Sequence, residues 1–314
     1  MTVPRPIDLK RRAVGDNVWL AHSAINDAEA ELAHLPVYDL RPEVIQTEEA
    51  VGRAMLEELE EAARAKPGEL VIALLGGRGA QALHRLLGER AKAGDREGLL
   101  GRLHVFTQDA LAPMRMDNSF SFVRDFERLL GEQFFRQVKS FTPMRTDTPD
   151  LEAELTRYVQ KLEELGGLDI FFLGHGPEPG AASHLAYIKP QAGATAADVA
   201  GLIPISASIL EHHVTKFKAG GSRVNAADEA ECRRATHILT LGPAAILGAK
   251  RIVQSIVDAD TAPAKRASYR RVMETQIAAT AEERARQLDE NPGLWVRLHP
   301  NVRSLILPNV LERQ

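Results

Sequence analysis

A chain of 314 residues, 44% hydrophobic and 26% charged, can bury a large core, which excludes a disordered or fibrous protein. The net charge of -4 gives no general electrostatic reason to bind nucleic acid or an anionic membrane surface, so any anion site must be local. The single cysteine, Cys232, can form neither an internal disulfide nor a thiolate metal cluster, and no apolar run approaches the about 20 residues of a membrane span. A cytoplasmic protein without nucleic-acid or membrane partners is the expectation.

In chain order, residues 1–36 read as an N-terminal arm whose apolar face (Val18, Trp19, Leu20, Ile25) should pack on the body or on a neighbouring subunit. A single α/β domain over 37–314 follows, and assembly into a homo-oligomer is left open. Val51, Met55, Leu56 and Leu59 recur at helical spacing and predict a helix over Glu48–Ala65. Leu70–Leu75 is a short, wholly apolar run, as a strand buried on both faces should be, and it runs into a glycine turn and a helix carrying Leu83, Leu86 and Leu87. Similar strands are predicted at Leu103–Thr107, Leu168–Leu173 and His237–Leu241, with a last one at Ser304–Leu307 and a helix over Leu151–Leu165. The Ala-, Gly- and Ser-rich segment Pro190–Gly221 reads as a long loop region over one end of the sheet. Strands alternating with amphipathic helices make this a parallel sheet covered by helices on both faces.

In such a sheet, ligands bind beyond the carboxyl ends of the strands, so the residues after each run carry the most information. After the first run stands Gly76-Gly77-Arg78-Gly79. Glycines allow close backbone approach, the N–H groups and dipole of the next helix favour an anion, and Arg78 can add a two-pronged phosphate contact. The same glycines also suit a plain strand-to-helix turn, and their spacing matches neither a dinucleotide nor a P-loop motif. After the second run, Asp109 is placed to abstract a proton next to a carbonyl, with Asp117-Asn118-Ser119 capping the following helix. The third run opens the densest cluster: Gly174, His175, Gly176 and Glu178, then His184 and Lys189, groups that move protons near neutrality. His175, Glu178 and His184 lack helical metal-ligand spacing, and His212-His213 is equally weak as a metal pair, so no metal and no cofactor is expected. Lys265, read in a loop after Ser255-Ile256-Val257, can reach an anion.

Taken together and in this order, these stretches resemble the glucosamine-6-phosphate deaminase (isomerase) and 6-phosphogluconolactonase superfamily. The resemblance covers roughly Val37–Pro308 and includes Thr240-Leu241-Gly242 and Val296-Arg297-Leu298-His299-Pro300. It implies a Rossmann-like three-layer α/β/α fold and a small phosphorylated sugar held by its phosphate at Gly76, Gly77, Arg78 and Gly79, with further contacts from His175, Gly176, Lys189 and Lys265. It makes Asp109 the group that moves protons between C1 and C2 and His184 the group that helps open the ring; the acids and histidines at the strand ends add His184 or Glu178 as the second proton carrier. Three departures stand out. Glu178 and His184 replace a contiguous Asp-Gly-His, Lys189 replaces a glutamate, and Arg78 replaces the hydroxyl after Gly-Gly. The expected activity is of the isomerase/deaminase type. The alternatives are a 6-phosphogluconolactonase-type hydrolase and a non-catalytic phosphosugar-binding module.

Overall fold

The computed structural model describes residues 8–23, 32–176 and 183–312. Its strands, in chain order, are β1 (Leu9–Val14), β2 (Asn17–His22), β3 (Pro42–Val44), β4 (Leu70–Leu74), β5 (Leu103–Thr107), β6 (Asp109–Ala112), β7 (Ser140–Thr142), β8 (Ile170–Leu173), β9 (Asp198–Pro204), β10 (His237–Leu241), β11 (Arg251–Ile256) and β12 (Val302–Ile306). The helices that frame the site are α1 (Glu48–Ala65), α2 (Gln81–Ala93), α3 (Phe122–Leu130), α4 (Leu151–Glu164), α5 (Ala207–Ala219) and α6 (Ala264–Glu274).

Seven strands form a wholly parallel sheet in the order β3-β12-β11-β8-β4-β5-β7, with Leu70 opposite Leu103 and Leu74 opposite Thr107. All five residues of β4 are buried because the alternation of a strand sends them into two different cores. Leu70, Ile72 and Leu74 meet Val51, Met55 and Leu59 of α1 and Leu83 and Leu87 of α2. Val71 and Ala73 meet Leu155, Tyr158, Val159 and Leu162 of α4. Each large apolar side chain so buried contributes roughly 1.5–3 kcal/mol, and the result is the three-layer α/β/α sandwich that the resemblance implied. Helix α1 begins where Thr47 accepts a hydrogen bond from the Ala50 N–H at 3.1 Å, with Glu48 and Glu49 in its first turn and Arg64 in its last.

The remaining five strands form a second, antiparallel sheet in the order β1-β2-β9-β10-β6. This corrects three sequence expectations. His237–Leu241 is a buried strand as predicted, but it lies in the antiparallel sheet, and a short apolar run does not reveal which partner it pairs with. Pro190–Gly221 is no loop region, since it holds β9 and α5. Lys265 lies in the first turn of α6 and not in a loop. At the amino end, β1 and β2 form a hairpin that joins this sheet through β9; Trp19 is fully buried there and its indole N–H donates to the Ala192 carbonyl at 2.9 Å. Ile25 lies outside the described residues. Among those residues no helix is long and apolar enough to cross a membrane.

Candidate functional site

The carboxyl ends of β4, β5, β8 and β11 converge on a cleft of about 610 Å³, part of it open to solvent. The glycine turn after β4, the Gln108-Asp109 pair after β5, the Gly174-His175-Gly176 segment after β8 and Ser255 of β11 all line it, and α5 closes it from above. This is where a doubly wound sheet takes ligands.

One end of the cleft is cationic. Gly77 adopts φ +76°, a conformation open to glycine, and the Lys216 ammonium lies so near that a Cβ there would sit 3.3 Å from its Nζ. Ser255 Oγ donates to the Gly79 carbonyl at 2.8 Å and fixes the turn to β11. Beneath it, the buried Asp258 carboxylate accepts from Lys265 Nζ at 2.6 Å and lies 3.3 Å from Lys216 Nζ. Burial pushes the Asp258 pKa up, but the two ammonium charges outweigh it and hold the carboxyl well below its usual range. Burial lowers Lys265 to about 8 against the pull of Asp258. Two cations share one acid, so this end keeps an excess positive charge below about pH 8.

The cleft also holds proton-transfer groups. Asp109 begins β6, at the point where the chain leaves the parallel sheet for the antiparallel one. It is 3% exposed; one carboxylate oxygen accepts from Gln108 Nε2 at 2.9 Å and the other has no partner among the described residues. Burial raises its pKa to about 7, against the Gln108 hydrogen bond and the Lys216 charge. His184 is buried with Nδ1 likewise unpartnered, and its pKa falls well below 6.5 through burial and the neighbouring His212. The ring of His184 packs onto Gly176, where a Cβ would fall within 2.1 Å of it, and stacks on Tyr187 at 4.8 Å and 9°. Tyr187 reaches that position through a tight hairpin. Ala186 and Tyr187 both have positive φ (48° and 52°), and Leu185 and Ile188 exchange backbone hydrogen bonds of 3.1 and 2.7 Å. Two consecutive non-glycine residues in that region cost on the order of 1–3 kcal/mol each, a strain that clusters at working sites.

His175 lines the cleft, but both ring nitrogens are engaged. Nε2 is 2.8 Å from Ser268 Oγ and Nδ1 is 3.3 Å from Ser183 Oγ. The Ser183 hydroxyl also faces the Gly176 and His184 carbonyls, at 2.9 and 3.0 Å, and the Ser268 hydroxyl faces the Lys265 carbonyl at 3.3 Å. His175 thereby ties the residue before His184 to the helix that carries Lys265.

Of the site residues expected from sequence, the cleft gathers Gly76, Gly77, Gly79, Asp109, His175, Gly176, His184 and Lys265. Two side chains are directed elsewhere. The Arg78 guanidinium donates through Nε to Glu48 at 3.1 Å and approaches Asp260 at 3.3 Å, and Lys189 Nζ donates to the Pro204 carbonyl at 2.7 Å; neither residue lines the cleft. Glu178 lies outside the described residues. Ser121, and not Asp117-Asn118-Ser119, caps α3. Sequence reasoning missed Lys216 and passed over His212 and His213, all on α5. His213 anchors that helix by its Nε2 on the Phe120 carbonyl at 2.7 Å. The missed signal was Ser206 as a cap followed by Ile209, His213 and Phe217 at four-residue spacing. Among the described residues no three His, Cys, Asp or Glu side chains are grouped to hold a metal ion.

No protein-family model matches the sequence and no curated protein matches it. The fold does match solved structures. A monomeric glucosamine-6-phosphate deaminase aligns with a TM-score of 0.64 at 21% identity over 86% of this chain and 98% of that one. The 6-phosphogluconolactonase of Thermotoga maritima gives 0.59 at 15% identity, covering 84% and 97%. That of Trypanosoma brucei gives 0.59 at 17% identity, covering 86% and 97%. The chain has the fold that these deaminases and lactonases share.

Proposed function

We propose that the protein is an enzyme acting on a small phosphorylated sugar, of the glucosamine-6-phosphate isomerase/deaminase type. The observation that carries this reading is one cleft holding a buried carboxyl raised to about 7 at one end and two lysines around a glycine turn at the other. The phosphate sits against Gly77, Lys216 and Lys265. Asp109 removes the proton at C2 of the open-chain sugar and returns it at C1, turning an aldose into the ketose phosphate; a 2-amino aldose gives the C2 imine instead, and water adds to it to release ammonia and leave the ketose. His184, neutral and with Nδ1 unpartnered, takes the ring-oxygen side as the ring opens. His184 or Glu178 is the second proton carrier.

A second reading is favoured by the same His184: a neutral imidazole can deprotonate water, which is what lactone hydrolysis requires. The pH dependence of kcat/KM distinguishes them, measured with glucosamine 6-phosphate by ammonia and ketose release and with the 6-phospholactone by acid release. Isomerase chemistry needs Asp109 ionised and Lys265 protonated, so its profile rises through about 7 and falls through about 8. Hydrolysis driven by His184 is flat from pH 6 up to that same fall. No turnover of either above background, with both ligands still bound, leaves the non-catalytic binding module.

A further inference from the structure

Beside the cleft lies a second chamber of about 890 Å³, mouth included, which the reading above does not use. Gly77, His212, Lys216 and Phe217 line both spaces. The partition therefore consists of one residue without a side chain and one face of α5, and it stands where the anion is held. On the far side the charges are already satisfied from within. Arg78 is neutralised by Glu48 and Asp260, and Asp125 accepts from Arg128 Nε at 3.2 Å and lies 3.3 Å from Ser222 Oγ. What the chamber offers a ligand is the Gln81 amide and the Thr215 hydroxyl, together with the acceptor oxygens of Ser222 and Thr261, whose protons go to Asp125 and the Asp258 carbonyl at 3.3 Å each. Uncharged donors and acceptors on an open wall suit a neutral, hydroxyl-rich group, since an extra charge there would find its counter-charges taken. A site built for a terminal phosphate alone gains nothing from polar space behind the phosphate.

We propose that the chamber is a second ligand compartment, and that the preferred ligand is a phosphodiester: a sugar in the cleft, its phosphate at Gly77 and Lys216, and a polyol or second sugar esterified to the far side. This rests on the phosphosugar reading and names its substrate class. Arg78 contributes to the compartment's wall and not to the phosphate contact.

The test is calorimetric titration of the full chain near pH 7 with glucosamine 6-phosphate and with its glycerol diester, repeated on Ala219→Trp. Ala219 lines the chamber, is exposed on the last turn of α5 and touches nothing in the cleft, so the indole fills the chamber alone. Expected are at least tenfold tighter binding of the diester by the native chain, loss of that gain in the variant, and monoester affinity within twofold of native. Thr215→Trp, one turn earlier on the same exposed face, repeats the test should the first variant fail to fold. A native chain that binds the diester no more tightly than the monoester overturns the proposal, as does an equal loss for both ligands in the variant. If neither ligand binds, the phosphosugar reading itself falls.

Discussion

The two ends of the cleft treat buried polarity in opposite ways. Around the glycine turn every charge stands beside one of opposite sign: Lys216 and Lys265 share Asp258, and Arg78 faces Glu48 and Asp260. Among the described residues, an oxygen of Asp109 and Nδ1 of His184 are buried without a hydrogen-bond partner, and Oδ2 of Asp258 has only the Lys216 ammonium at 3.3 Å. An ionic cluster that is satisfied in the free protein is preorganised to receive an anion. Orphaned donors and acceptors are costly to keep, on the order of 1–3 kcal/mol each, and hold their pKa away from ordinary values. A standing charge is thus built to bind, and an unpartnered group is built to react.

Replacing Asp109 with Asn should break the reactive end most severely. Turnover should fall by about 10²–10⁴-fold in steady-state assays while ligand affinity stays unchanged, because the proton carrier is gone and the lysines are not. The same substitution should raise the unfolding midpoint at pH 8. The carboxyl titrates near 4 when unfolded and at about 7 when folded, so stability declines from about pH 4 to 7 and the whole penalty, at most on the order of 4 kcal/mol, is present above that range. Lys265→Met attacks the satisfied end. It leaves the buried Asp258 with Lys216 alone, at 3.3 Å, and urea unfolding should show a loss of about 3 kcal/mol together with loss of phosphate binding. His175→Phe cuts the tie between the two ends. Since Ser183 and Ser268 keep only their bonds to backbone carbonyls and are no longer bridged, kcat should fall and KM rise together, with about a tenfold combined effect, equivalent to about 1.4 kcal/mol. Equal values for variant and native enzyme would reduce His175 to packing. The smallest effect is expected of Arg78→Ala: monoester affinity within about twofold and a stability change under about 1 kcal/mol, because its half-exposed pairs lie outside the cleft.

How far these features could be read in the sequence follows from how local their causes are. The strands at Leu70–Leu74 and Leu103–Thr107 are legible because burial on both faces leaves an unbroken apolar run. Asp109 and Lys265 are legible by position, each shortly after such a run. The β9 strand is concealed because it carries Gly201, which the packed Trp19 ring requires from far away in sequence. The orientation of Arg78 is illegible for the same reason: its residue type suggests a phosphate, and only the arrival of Glu48 and Asp260 in space turns it away. Helix α5 was legible through its cap and its Ile209, His213 and Phe217 spacing, but the small residues before it suggested a loop. With it went Lys216, the residue that most alters the picture of the anion end.

Asp109 is the first residue of the strand that crosses from one sheet to the other. The preceding Gln108 is held on both sides of the crossing, its N–H on the Leu74 carbonyl at 3.0 Å and its carbonyl on the Leu241 N–H at 3.1 Å. Burial at this joint is what raises the proton affinity of the carboxyl, so water admitted there would lower it. Its proton affinity is a gauge of that seam: a well-closed joint keeps the acid near neutrality, and a loosened one returns it toward an ordinary aspartate. Carbonyl-labelled NMR of this one side chain would read the joint in solution.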